Sequence, residues 1–185
     1  MKAATSLGLK YADGDGIAIN ESEAARWLSK AANAGEAVAA YRLGTLYERG
    51  RGVTVDSKQA MRWYAEAAKH GNRRAMHNLA VGYADGAGGE KNFAEAARWF
   101  RAAAELGLTD SQFNIAVLYE RGLGVKQSTS EAYKWYAIAA ASGDAESRTR
   151  VSTLANQLQP TERAVADKAA KAYKPEPINI AANES

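Results

Sequence analysis

The sequence repeats itself every 36 residues, and this period constrains the fold more than any other feature. The four tryptophans keep the interval without insertion or deletion, and a tyrosine column and two glycine columns keep it with them. The recurring positions are Trp27, Trp63, Trp99 and Trp135; Tyr11, Tyr47, Tyr83 and Tyr119; Gly14, Gly50, Gly86 and Gly122; and Gly16, Gly52, Gly88 and Gly124. A constant period in this size range predicts a repeat protein, in which each unit buries its apolar face against its neighbours.

Each repeat has the apolar spacing of two helices. In the second repeat, residues 39–47 and residues 60–67 place apolar side chains at the three- and four-residue intervals of a helical face. Between them, Gly50 and Gly52 permit the positive φ that a tight turn requires. A capping residue precedes the second helix of every repeat, at Asn20, Asp56, Asn92 and Ser128. Glu or Gln follows three residues later, at Glu23, Gln59, Glu95 and Glu131, which predicts a capping box each time.

The predicted architecture is all-α, a right-handed α/α superhelical solenoid. The first helix of each repeat, helix A, is expected to line the concave side, and the second helix to lie outside. The predicted units are four repeats at 1–36, 37–72, 73–108 and 109–144, C-terminal capping helices at 145–173 and a flexible tail at 174–185. Within the capping region, Pro160 marks the first turn of a last helix at 161–173.

Composition excludes several classes of function. Cysteine is absent, which excludes disulfides and thiolate zinc sites, and neither His70 nor His77 has a companion at ligand spacing. Basic residues are scattered among acidic ones, whereas nucleic-acid binding requires them clustered on one face. No apolar stretch approaches the roughly 18–20 residues of a membrane span. We therefore predict a non-enzymatic chain without cofactor, metal, nucleic-acid partner or membrane span.

The repeat pattern resembles the Sel1-like repeat. Its order is Ala-x-x-x-Leu-Gly-x-x-Tyr-x-x-Gly-x-Gly-Val, an acceptor cap, then Ala-x-x-Trp-x-x-x-Ala-Ala-x-x-Gly, and residues 41–71 match it almost completely. The related tetratricopeptide repeat is shorter, at about 34 residues, and lacks the two-glycine loop. The resemblance implies a scaffold that holds a partner protein or an extended peptide in its concave groove.

Three stretches carry a narrower resemblance. Residues 41–50, 74–81 and 132–140 are similar to the repeat region of polar localisation factors from alphaproteobacteria. That similarity implies a periplasmic region of a larger membrane-anchored protein, which organises signalling or envelope proteins at the cell pole and has peptidoglycan as a possible partner.

A partner is expected to bind where the repeats differ and where helix A faces the groove. The candidate binding residues fall in three columns, which we call the helix-A face: Tyr41, His77 and Phe113; Arg42, Asn78 and Asn114; Thr45, Val81 and Val117. Thr5 and Ser6 begin the first two columns. An amide both donates and accepts, so it can pair with any peptide main chain, and an arginine can grip a carboxylate.

Each candidate also has a structural interpretation. Asn78 and Asn114 could instead bridge neighbouring helices, and Glu48, Arg49, Glu120 and Arg121 fit ordinary solvent-facing ion pairs. The tryptophan, tyrosine and paired-glycine columns are interpreted as parts of the fold. Two functions compete with partner binding: a structural spacer or self-assembly module of an envelope protein, and a peptidoglycan- or glycan-binding module.

Overall fold

The computed structural model describes residues 2–184, and all regular structure in this part of the chain is helical. The helices are α1 (Lys2–Asp13), α2 (Glu21–Ala32), α3 (Ala37–Arg49), α4 (Ser57–Lys69), α5 (Arg73–Asp85), α6 (Phe93–Glu105), α7 (Thr109–Arg121), α8 (Thr129–Ala141), α9 (Ala145–Ala155), α10 (Pro160–Ala172) and α11 (Ile180–Asn183). The all-helical prediction is confirmed. No helix among these residues is long and apolar enough to span a bilayer.

The chain forms two compact units. The first contains the residues up to Lys91 together with those from Ile178 onward, and the second contains Asn92–Pro177. In the first unit α1 packs against α2, α3 against α4, and each pair against its neighbour. In the second unit α6, α7, α8 and α9 pack in succession, and α10 lies against α8.

Alanine supplies much of the core in both units, which allows the helices to approach closely. The largest fully buried side chains in the first unit are Leu28, Leu43, Tyr64 and Leu79. Trp63 and Trp135 are buried, whereas Trp27 and Trp99 are half-buried. A basic residue lies over each indole ring, at 4.2–5.1 Å from the guanidinium carbon or Nζ to the ring centroid: Arg26, Arg62, Arg98 and Lys134. Each tryptophan therefore lies between the alanine-rich core and a basic side chain.

The N-caps form as predicted, but the capping boxes do not. The side chains of Asn20, Asp56, Asn92 and Ser128 accept a hydrogen bond from the backbone N–H three residues on, at 3.0–3.2 Å. The returning half of the box is missing because the N–H of Asn20 already donates to the Tyr11 carbonyl at 2.9 Å. The Glu23 carboxylate instead pairs with Arg26 at 2.7 Å. In the third and fourth repeats the corresponding glutamate also pairs with a basic residue three positions later: Glu95 with Arg98, and Glu131 with Lys134.

The second glycine of the turn is required by close packing as well as by backbone conformation. Gly52 has φ +70°, and a Cβ built on it would lie 2.1 Å from the carbonyl oxygen of Glu21 at the start of α2. In the second unit, a Cβ on Gly124 would lie 2.1 Å from the carbonyl of Phe93 at the start of α6. The turn of one repeat thus rests on the backbone of the preceding repeat, and a side chain would push them apart.

The C-terminal segment, for which the sequence predicts a flexible tail at 174–185, makes hydrogen bonds in each unit, and residue 185 lies outside the described residues. In the second unit the N–H of Glu176 donates to the Glu105 carbonyl at 2.8 Å, and the Tyr173 hydroxyl donates to the Ala104 carbonyl at 2.7 Å. In the first unit, α11 packs against α3. The physical reason is that turns between repeats present backbone polar groups that have no partner within a helix, and the C-terminal segment supplies partners.

Candidate functional site

A cavity of about 520 Å³ opens in the first unit, against α1. Its wall on α1 consists of side chains at helical spacing, and the beginning of α3 and the segment around α11 complete it. The lining residues are Lys2, Thr5, Ser6, Leu9, Lys10, Asp13, Asp15, Glu36, Val38, Ala181 and Glu184. The lining therefore combines two ammonium groups, four carboxylates, two hydroxyls and a few apolar side chains, a mixture suited to a polypeptide rather than to a single small anion.

The cavity wall contains the first-repeat members of all three helix-A columns. Thr5 precedes Tyr41, Ser6 precedes Arg42, and Leu9 precedes Thr45, each by 36 residues. The hydroxyl oxygen of Thr5 is buried and has no hydrogen-bond partner. The first-repeat residues of the three candidate columns thus line this cavity.

In the second repeat, the candidate residues Tyr41, Arg42 and Thr45 are half-buried. The Arg42 guanidinium lies 3.6 Å from the carboxylate of Asp13, which lines the cavity. The Thr45 hydroxyl donates to the Arg42 carbonyl at 2.7 Å, so this hydroxyl already has an acceptor within its own helix. The ring of Tyr41 lies 6.1 Å from that of Tyr64. Arg42 therefore reaches the cavity through its ion pair with a lining residue.

In the third repeat, Asn78 contacts a phenol of the preceding repeat. Its side chain hydrogen-bonds the Tyr64 hydroxyl, which in turn donates to Glu48 Oε2 at 3.0 Å. Burial raises the pKa of Tyr64, and the hydrogen bond from Asn78 partly opposes this. His77 is half-buried and Val81 is 36% exposed. Val81 is thus the candidate of this repeat most open to a partner.

In the second unit, Phe113, Asn114 and Val117 are half-buried. The rings of Phe113 and Tyr136 are steeply inclined to one another, with centroids 5.5 Å apart. The Tyr136 hydroxyl donates to Glu120 Oε2 at 2.9 Å. Burial raises the pKa of Tyr136 to about 12. Phe113 therefore has a packing role within its unit.

Glu48 and Glu120 each accept a hydrogen bond from a buried phenol, in addition to any ion pair at the surface. Glu48 accepts from Tyr64, while Glu120 accepts from Tyr136 and also pairs with Arg150. The sequence indicates this arrangement, because residue types at two positions of the repeat vary together. The pairs in successive repeats are Ala12 with Leu28, Glu48 with Tyr64, Ala84 with Phe100, and Glu120 with Tyr136. A carboxylate stands at this position in the two repeats whose facing position carries a phenol.

Comparison with known proteins places the chain among Sel1 repeats. The family model for the Sel1 repeat matches residues 2–36, 37–72, 73–108 and 109–144. None of the curated proteins matches the chain. A Sel1 repeat protein from Oxalobacter formigenes is similar in structure, with a TM-score of 0.81 and 29% identity over 97% of this chain and 75% of that one.

A second similar structure is a protective antigen present in uropathogenic Escherichia coli strains, which displays an SLR fold. It has a TM-score of 0.82 and 28% identity over 92% of this chain. The chain spans 38% of the length of that antigen.

Proposed function

Because this chain belongs to the Sel1 repeat family, we propose that it is a scaffold whose helix-A face binds a partner protein or an extended peptide. Sel1 repeat proteins generally mediate protein–protein interactions and are typically non-catalytic. The observation that supports the proposal is the cavity at α1, whose wall is made by the first members of the three helix-A columns. Its mixed lining offers donors, acceptors and apolar contacts to a polypeptide.

Charge at this site favours a partner segment that contains both acidic and basic groups. Lys2 and Lys10 lie along one side of α1, with Asp13 at its end, and Glu36 faces them from the start of α3. Opposite charges arranged in this way fix the orientation of a bound chain more than they raise its affinity. The Arg42 guanidinium, which now pairs with Asp13, is positioned to bind a carboxylate of the partner instead.

We propose further that this scaffold works in the periplasm at a cell pole, as part of a larger membrane-anchored protein. The support is the similarity of residues 41–50, 74–81 and 132–140 to the polar localisation factor PodJ of alphaproteobacteria. A fluorescent fusion to the native full-length protein tests this location. Foci at one pole together with protease access from the periplasmic side are expected, and a uniform cytoplasmic signal would contradict it.

The partner-binding proposal is tested with two matched pairs of substitutions. Ser6→Glu with Val81→Glu changes two exposed positions of the helix-A columns, and Ser57→Glu with Val55→Glu makes the same changes at exposed positions elsewhere in the first unit. These sites are preferable to Asn78, whose loss would also disturb Tyr64. Each immobilised variant is incubated with a bacterial envelope extract, and captured proteins are then purified and titrated directly.

We expect the wild-type chain and the Ser57/Val55 variant to bind the same purified partner, and the Ser6/Val81 variant to lose it while its circular dichroism is unchanged. Equal binding by all three chains would overturn the helix-A face as the partner site. Concentration-dependent oligomers in size-exclusion chromatography would favour the self-assembly alternative. A change in tryptophan fluorescence on titration with peptidoglycan fragments would favour the glycan-binding alternative.

A further inference from the structure

The segment at residues 178–184 packs against the turn between α4 and α5, which is formed by residues 70–72. Its residues 180–183 form the one-turn helix α11. Ala182 is buried at 3% exposure, whereas Ile180 is 65% exposed. Besides Ala182 only Ile178 is more than slightly buried among the apolar residues of the segment, so its hydrogen bonds are the contacts that define its position.

Two asparagines of the segment bond the main chain of this turn. The Asn179 amide donates to the His70 carbonyl at 3.3 Å. The Asn183 amide donates to the Gly71 carbonyl at 2.9 Å, and its oxygen accepts from the N–H of Arg73 at 2.9 Å. Carbonyls past the end of α4 and N–H groups in the first turn of α5 have no partner within their own helices. The two amides, four residues apart on one side of α11, supply such partners.

Asn72 provides the matching contact from the turn itself. Its amide nitrogen donates to the Ala182 carbonyl, and its oxygen caps α5 by accepting from the N–H of Ala75 at 2.9 Å. Asn72 is 2% exposed. One side chain therefore both begins α5 and holds the segment, because an amide has a donor and an acceptor.

The other repeats do not have this combination at the corresponding position. They carry Glu36, Leu108 and Asp144 there. Glu36 and Leu108 form no side-chain cap, and Asp144 accepts from the N–H of Ser147 at 2.6 Å. A carboxylate offers no donor to a peptide carbonyl. The donor of Asn72 thus distinguishes one turn among four that otherwise share a common backbone design.

We propose that the α4–α5 turn with Asn72 is a docking site for a one-turn helical peptide of the pattern Asn-x-x-Ala-Asn, and that residues 179–183 of the same chain are its occupant. The two asparagines hydrogen-bond the main chain of the turn. The fourth position of the pattern is alanine because this residue is buried. The tether to the rest of the chain gives the segment a high effective concentration, so a free peptide of this pattern competes with it. This site is separate from the helix-A face, although Ala181 and Glu184 border the cavity.

Docking within one chain is tested by paramagnetic relaxation. The sequence contains no cysteine, so Ser185→Cys gives a unique position for a spin label on the full chain. We expect the label to broaden the amide signals of residues 70–73, and Asn72→Asp to reduce this broadening. Aspartate keeps the cap of α5, as Asp144 does for α9, but removes the donor. Unchanged broadening in the Asn72→Asp chain would overturn the role of Asn72.

A mixture of unlabelled ¹⁵N chains and spin-labelled ¹⁴N chains separates the two possible origins of the segment. No broadening of the ¹⁵N signals is expected when the segment docks on its own chain. Broadening in the mixture would show that the segment binds a second copy, and would overturn the assignment to the same chain.

Competition is tested with a fluorescent synthetic peptide of sequence Ile-Asn-Ile-Ala-Ala-Asn-Glu, which reproduces residues 178–184. Ala182→Glu in the full chain displaces the internal segment, because a glutamate does not fit the buried position. We expect fluorescence anisotropy to show peptide binding to this variant, and binding about tenfold weaker when Asn72→Asp is added, since one hydrogen bond is lost. Equal binding to both variants, or none to the Ala182→Glu chain at millimolar peptide, would overturn the proposal.

Discussion

Replacing Gly52 with alanine should destabilise the chain far more than the same replacement at Gly16, although the two glycines occupy equivalent turns. Their backbones are nearly identical, with φ +70° at Gly52 and φ +73° at Gly16. A Cβ on Gly52 would lie 2.1 Å from the Glu21 oxygen, whereas one on Gly16 would meet nothing within 4 Å. The difference arises because Gly52 rests on the start of α2 in the preceding repeat, whereas Gly16 has no such neighbour among the described residues.

The magnitude follows from two separate costs. A left-handed conformation costs an alanine about 1–2 kcal/mol, part of which is offset because alanine also reduces the entropy of the unfolded chain. This cost applies equally to Gly16 and Gly52. At Gly52 the contact is with a backbone carbonyl, which cannot rotate away, so the turn and α2 must separate at a further cost of about 1–3 kcal/mol. Gly124, whose Cβ would lie 2.1 Å from Phe93 in the second unit, should behave like Gly52.

Urea unfolding monitored by far-ultraviolet circular dichroism and tryptophan fluorescence measures these differences. We expect Gly16→Ala to lower the free energy of unfolding by about 1 kcal/mol, and Gly52→Ala to lower it by about 2–4 kcal/mol. If the two signals do not coincide, the midpoints are compared instead, because repeat proteins can unfold in parts. Equal losses for the two variants would refute the argument that packing of the turn on the preceding repeat, rather than backbone conformation, requires this glycine.

Three further predictions concern individual contacts. Tyr64→Phe and Glu48→Ala, combined in a double-mutant cycle of urea unfolding, should show a coupling of about 1 kcal/mol, and zero coupling would argue against their hydrogen bond. Tyr136 stays neutral in the folded chain to about pH 12 but ionises near pH 10 when unfolded, so stability should fall as pH rises above about 10. That fall should be smaller in Tyr136→Phe, and identical alkaline profiles of the two chains would contradict the raised pKa. Asp56→Ala should cost about 1 kcal/mol in thermal unfolding and Asp56→Asn much less, since asparagine keeps the acceptor for the N–H of Gln59.

The parts of the fold that could be predicted from sequence are those set by local rules repeated four times. The helices, the caps at residues such as Asp56 and the left-handed glycines such as Gly50 each depend on a few neighbouring residues, and the period repeats the evidence in every unit. The helix predicted at 161–173 is α10, which begins at Pro160 and ends at Ala172. The incomplete capping box at Glu23 was not foreseen because the competing acceptor, the Tyr11 carbonyl, comes from the other helix of the repeat.

Contacts between distant parts of the chain were harder to predict. The pairing of Glu48 with Tyr64 joins two helices, and its signal is a correlation between two columns rather than a pattern within one. The docking of residues 178–184 has no periodic signal, because the segment lies outside the repeats and its contacts are mostly with main-chain atoms. Main-chain carbonyls carry no sequence information, so only Asn72 and the asparagines of the segment could have indicated it.

The central claim, that a partner binds the helix-A face, is tested most directly by site-specific photocrosslinking in cells. A benzoylphenylalanine is introduced at Val81, which is 36% exposed on the helix-A face, or at Val55, which is 66% exposed away from it. The account predicts that the partner identified by capture from the envelope extract crosslinks to the chain modified at position 81 and not to the chain modified at position 55. Crosslinking at position 55 alone, or with equal yield at both positions, would contradict it.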